Sequence, residues 1–243
     1  MGNLLSGVLS NDSLFGRAMN RVRIIFWANL LFVFCTVPVI TAGAGFAALH
    51  YTMLKTLRGD GDIPVFKTFF EGFKQNFRQA TTAWIGFLLA GGILALEWYW
   101  CTQLGGEFLN FRYIFLIFVF ILVITGLYLF PVMAAFRGTI PMLLKDSVYF
   151  ALHRPAVLLV ILFFSVFPMI LTFTDPGTLP LYGFLWVTCG FSLICLLTDR
   201  LLLKDFAKYL PKVNEYGEFV EEEPESENSE KRTCSAGAEH HQV

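Results

Sequence analysis

The feature that most limits how this chain can fold is a succession of long apolar runs. Residues 113–136 and 155–173 carry no ionisable side chain other than tyrosine, and residues 24–54 and 80–100 come close to the same state. About 20 apolar residues in a helix cross the hydrocarbon core of a bilayer. Backbone at that depth must satisfy its own hydrogen bonds, which leaves helices or closed barrels. The runs are too long and too continuously apolar for the alternation of barrel strands. The expected fold is therefore all-α, a polytopic transmembrane helical bundle. Only 15% of the residues are charged, against roughly a quarter in a soluble domain. The mean hydropathy is +0.60.

Charge is unevenly placed. Residues 213–243 carry nine Glu against Lys231 and Arg232, whereas residues 1–212 carry sixteen Lys and Arg against ten Asp and Glu. This divides the chain into a transmembrane domain, 1–212, and an acidic tail, 213–243. The tail is rich in Glu and Ser and too poor in apolar residues to offset the entropy of ordering, so it is expected to be disordered and cytoplasmic. The positive charges are scattered at the ends of apolar runs, which argues against a nucleic-acid partner.

Basic segments stay in the cytoplasm. Residues 137–154 and 200–212 are basic and belong inside; 101–112 and 174–178 are not and belong outside. Residues 55–79, with Lys55, Arg58, Lys67, Lys74 and Arg78, then fall inside. The N-terminal segment has Arg17, Arg21 and Arg23 and also belongs inside. The run from Ile24 to about Leu54 must therefore turn back on itself. Pro38 breaks it, since proline lacks the N–H and disfavours helix in the residue before it. The expectation is about six helices, the first two a short Pro/Gly-broken hairpin that either spans fully or is re-entrant, with both termini cytoplasmic.

Residues 62–78 read as an additional amphipathic helix in the cytoplasmic interface. Phe66, Phe69, Phe70, Phe73 and Phe77 recur at helical spacing opposite Lys67, Glu71, Lys74 and Arg78, with Asp62 as N-cap and Pro64 in the first turn. A weaker candidate covers 200–210. Glu97, Trp98, Tyr99 and Trp100 suit the outer interface.

Motifs of enzymatic chemistry are missing: no GxSxG, HExxH or P-loop occurs. The chain is expected not to be an enzyme and to need no cofactor or metal. Met1 to Ser6 fits the myristoylation pattern, weakly. Arg17 to Ala44 resembles a signal peptide, but cleavage would invert every later loop against the charge rule. Asp60-Gly61-Asp62 reads as a turn. Of the five cysteines none forms a CxxC pair, and packing is the default. His50 and His153 read as interfacial, and His240 and His241 with Cys234 as weak metal-binding material. No charged residue is placed in the middle of a span. The binding or packing candidates are Asn29, Pro38, Thr41, Gly43, Gly45 and Asn76. Asn29 is expected to act as helix–helix glue. The small residues Gly43, Gly45, Ala47 and Ala48, and likewise Gly86, Gly91 and Gly92, are expected to pack closely.

Three segments carry a family resemblance: Asn29-Leu30-Leu31, the stretch Val37 to Leu49 (VPVITAGAGFAAL), and Phe69 to Thr81 (FFEGFKQNFRQAT). They resemble the YesL family, integral membrane proteins of Gram-positive bacteria with a domain of unknown function. The likeness covers roughly residues 10–210, with its specific part in the first eighty. The family has no known catalytic residues. Its members are often encoded beside carbohydrate ABC-importer genes. The resemblance thus implies a non-enzymatic accessory protein of carbohydrate uptake in the cell membrane, partnered by the bilayer and by importer permease subunits. The alternative is a small-solute transporter or channel in its own right, with the broken hairpin exposing backbone to a solute.

Overall fold

The computed structural model describes residues 14–59, 63–104, 112–174 and 177–209. The expectations for the N-terminal segment, the Asp60–Asp62 turn and cap, Cys234, His240, His241 and the acidic tail lie outside these residues. Described regular structure is entirely helical. The helices are α1 (Leu14–Thr36), α2 (Ala42–Arg58), α3 (Val65–Leu104), α4 (Arg112–Ala135), α5 (Ile140–His153), α6 (Pro155–Thr174), α7 (Leu179–Leu185) and α8 (Phe191–Phe206). A 3-10 turn, Val39–Thr41, joins α1 to α2, and a π-helical turn, Trp186–Gly190, joins α7 to α8. Five helical stretches are long and apolar enough to cross a membrane: Gly16–Thr36, Val65–Leu104, Tyr113–Ala135, Pro155–Thr174 and Leu179–Phe206.

The remaining helix of the hairpin, α2, is the centre of the molecule. Its Ala, Gly and Thr side chains let α1, α3, α4 and α8 approach it closely. Ala44, Ala47, Ala48, Leu49 and Met53 are all fully buried. One side of α2 joins a core with Tyr128, Leu129, Met133, Leu143, Leu202 and Phe206. Its other side joins Ile24, Ala28 and Phe32 of α1, Phe69 of α3 and Cys195 of α8. Phe46 ties the two together by ring contacts to Phe32, Trp84, Phe130 and Phe191.

The hairpin turn follows from its residues. Pro38 is extended (φ −78°, ψ 102°) and accepts the Thr41 N–H at 2.8 Å. The Thr41 hydroxyl donates to the carbonyls of Cys35 (2.6 Å) and Pro38 (2.8 Å), groups that the break would otherwise leave open. Trp84 Nε1 donates to the Val39 carbonyl at 2.8 Å. That bond places the tip of the hairpin beside the middle of α3, so α3 runs on for about 30 Å beyond it.

Three expectations need correction. The Phe-rich segment and the span after it form one uninterrupted helix of 40 residues, α3. The face it buries within the protein runs through Val65, Thr68, Phe69, Gly72, Asn76 and Ala80, and the five phenylalanines are divided between that face and the periphery. Phe69 is fully buried and Phe73 packs partly against both cores, while Phe66, Phe70 and Phe77 are exposed. The reason is volume: glycine at 72 lets Tyr51 of α2 come so close that a Cβ would meet its ring carbons at 2.7 and 2.9 Å. Secondly, residues 140–153 of the basic inner segment form a helix, α5, begun by Thr139 with proline in its first turn and buried through Leu143, Ser147, Phe150 and Ala151. Thirdly, Gly86 and Gly92 have no neighbour within 4 Å of where a Cβ would stand, and Gly91 meets only Leu122. That glycine face does not serve close packing in this chain.

A buried polar core as the candidate functional site

Helix α8 places Ser192, Cys195 and Asp199 at spacings of three and four residues, hence on one face. That face meets the hairpin. Ser192 and Asp199 are fully buried, and Cys195 and His50 nearly so. His50 Nδ1 lies 2.8 Å from Asp199 Oδ1, and Cys195 Sγ lies 3.5 Å from His50 Nε2. Asp199 stands towards the end of the Leu179–Phe206 stretch and His50 midway along α2, and both are buried within the protein. Residues 201–206 carry α8 past Asp199 by nearly two turns, so the span does not end at the first charge.

Charge neutrality fixes how protons are arranged in such a place. An isolated buried charge costs several kcal/mol or more. Carboxylate with imidazolium, or carboxylic acid with imidazole, each keeps Asp199 and His50 together neutral. In both, the proton between Asp199 Oδ1 and His50 Nδ1 is shared and Nε2 carries its own hydrogen. Nε2 then points its hydrogen at Cys195 Sγ, and Asp199 orients the imidazole.

Asn29 of α1 is fully buried one layer away. Its Nδ2 donates to the carbonyls of Trp186 and Val187, each at 2.8 Å, and its Oδ1 accepts the Ser192 N–H at 2.9 Å. The side chain thus sits between Val187 and Ser192, whose carbonyl and amide one more π-type bond would otherwise join. A π-turn is costly and rare, and tends to mark functional sites. Here the neighbouring helix supplies what the turn lacks. Trp186, at its start, donates from Nε1 to the Thr172 hydroxyl of α6 at 2.9 Å.

The other candidates are dispersed. Pro38 and Thr41 build the hairpin turn. Gly43 lies against Trp84 and Ala80 of α3, where an added Cβ would stand 2.5 Å from the Ala80 carbonyl oxygen; Gly45 faces Phe32 of α1 at 3.3 Å. Asn76 is buried but bonds the Gly72 carbonyl of its own helix at 3.1 Å. Of the candidates read from the sequence, only Asn29 reaches the polar core. Asp199, Cys195 and Ser192 were missed, although their spacing and the apolar Leu201-Leu202-Leu203 beyond them were visible. Among the described residues no cluster of three or more His, Cys, Asp or Glu has the arrangement of a metal site.

Two of the cavities among the described residues lie elsewhere. One of about 620 Å³ opens between α3, α4 and α5 and is almost wholly apolar, lined among others by Thr82, Gly86, Ala90, Leu122 and Leu144. The second, of about 250 Å³, lies between α6 and α7–α8 beside Pro168, Trp186 and Gly190. Neither is lined by His50, Cys195 or Asp199.

No curated protein and no solved structure matches the chain. Residues 25–98, which hold Asn29, the hairpin, His50 and most of α3 but not the α8 side of the polar core, are similar to a family described as "Protein of unknown function, DUF624".

Proposed function

We propose that this chain is a non-enzymatic accessory component of the cell membrane that docks laterally on a membrane partner, with ABC-importer permeases for carbohydrates as that partner. The importer association rests on the resemblance to the YesL family and on nothing in the fold. The observation that supports docking is where the apolar surface lies. The open groove between α3, α4 and α5 and the exposed hairpin tip, with Phe34, Val37, Val39 and Ile40, offer shape and apolar area to a neighbour within the bilayer. Buried polar side chains such as Thr52, Thr56, Asn76 and Ser147 bond carbonyls of their own helices and so offer little to a solute.

The transporter reading has one observation in its favour, the His50–Asp199 pair. Ionisable groups within spans often lie on ion or proton paths. Purifying the full-length chain from its native membranes in mild detergent separates the two. A permease pair recovered at a fixed ratio supports the accessory role. Recovery of the chain alone, together with solute uptake into vesicles that contain nothing else, would replace it with transport.

A further inference from the structure

The buried cluster is better suited to binding a proton than to holding the fold together. Apolar side chains of the same volume would pack α8 on α2 at least as well as an ion pair does. The cluster is also not fully satisfied. Asp199 Oδ2 and Ser192 Oγ are buried without a hydrogen-bond partner, against the rule that buried polar groups find one. The same helix carries the π-turn, one turn before Ser192, kept in place by Asn29. A locked arrangement that leaves a carboxylate oxygen unpaired and relies on an irregular turn has a ready alternative in which α8 shifts and water enters.

We propose that His50 and Asp199, with Cys195 as the third contact, form a proton-binding site, and that taking up a second proton releases α8 from the hairpin. The linkage is direct. With one proton between them the pair is neutral and the dry, locked arrangement is tolerated. A second proton gives imidazolium beside carboxylic acid, one full charge where water is excluded. That state is stabilised only where water or an anion reaches it, so the proton binds the open arrangement better and shifts the equilibrium toward it. The protons come from the end of the bundle that carries Arg58, Lys204 and the Arg154–Asp205 pair, since Asp199 lies less than two turns from Asp205 on α8.

No other group nearby cancels the added charge. On α8 the facing groups are Asp199 and Cys195 themselves. Helix α1 offers only Cys35 between Ile24 and Thr36. On α3, Glu71 lies 3.9 Å from Lys55 at the surface. On α4, Tyr128 is buried and neutral as a phenol. Asp205 is engaged by Arg154 at 3.1 Å.

The test uses the full-length chain in lipid nanodiscs, with isotope-labelled histidine and aspartate side chains read by NMR and backbone amide exchange read by mass spectrometry. Over about pH 4.5 to 8.5, the pair, assigned with His50→Gln and Asp199→Asn variants, should take up one proton as the pH falls, seen at the Asp199 carboxyl or at the His50 ring. Amide exchange in 191–199 should rise at the same midpoint by about tenfold or more relative to α6, which corrects for intrinsic exchange. In Asp199→Asn the coupled step should vanish. Because that variant could fail to fold, the wild-type measurement stands alone. A pair in which neither Asp199 nor His50 takes up a proton over this range, a pair that titrates with no change in α8 exchange, or a coupled step that survives in Asp199→Asn would each overturn the proposal.

Discussion

Asn29 brings two amide hydrogens and one oxygen into the bundle, and the fold uses all three on the irregular turn of another element. Asn29→Ala would remove three hydrogen bonds from the irregular turn and leave a gap where water is excluded. The full-length protein should lose about 1–3 kcal/mol of stability, read as a lowered thermal midpoint in detergent. Asn76→Ala is the control, because that side chain bonds a carbonyl of its own helix, and its midpoint should move far less. Gly43 gives the second prediction at this scale. Gly43→Ala forces Cβ against Trp84 and the Ala80 carbonyl, both backed by the core, and should cut folded yield severalfold; Gly86→Ala, facing an open groove, should leave yield unchanged. The sequence made the polar character of Asn29 and the smallness of Gly43 plain. It could not name their partners, which lie 157 residues away for the Trp186 carbonyl and across the hairpin for Ala80. Asp199 stayed hidden for another reason: an acidic residue next to Arg200 resembles the end of a span, and only the helix running on past it reveals the interior position.

Helix α3 shows how a periodic pattern can be right about helix without saying which of its side chains the protein itself covers. Five phenylalanines on one stripe have the largest apolar payload, so reading them as the anchored side is natural. The burial is decided instead by what the partner helix presents. Tyr51 needs the space over Gly72, and α2 with its small residues draws Thr68, Phe69, Asn76 and Ala80 inward. The phenylalanines are then divided between core and periphery. Phe69→Ala should cost about 3–5 kcal/mol as a cavity in a closed core, whereas Phe66→Ala, at a side chain half exposed, should cost less than about 1 kcal/mol. Denaturation of the two variants side by side checks this; equal losses would mean that both rings sit in equivalent surroundings. Helix α5 escaped notice because its basic flanks, useful for topology, drew attention from the Leu143, Ser147, Phe150, Ala151 stripe within it.

At the scale of the whole molecule, the hairpin decides the topology. Helices α1 and α2 leave and return to the same end of the bundle, since only residues 37–41 join them and the two pack against each other. Whether they cross fully or turn back beside the middle of α3, they add an even number of crossings. Helices α3 and α4, then α6 and α7–α8, add two pairs more. With α4 crossing, the segment after α3 lies opposite to α5, and because basic segments stay inside, the Lys and Arg of residues 137–154 lead us to propose that α5 faces the cytoplasm. Leu104, at the end of α3, and Leu152, near the end of α5, are both well exposed, so a cysteine at either should react without unfolding. In a background with the native cysteines changed to serine, a membrane-impermeant thiol reagent added to intact cells should label Leu104→Cys and spare Leu152→Cys until the membrane is opened. The reverse pattern would invert the molecule in its membrane. Labelling of both in intact cells would mean that α4 does not carry the chain across, and the pairing of α3 with α4 would fall.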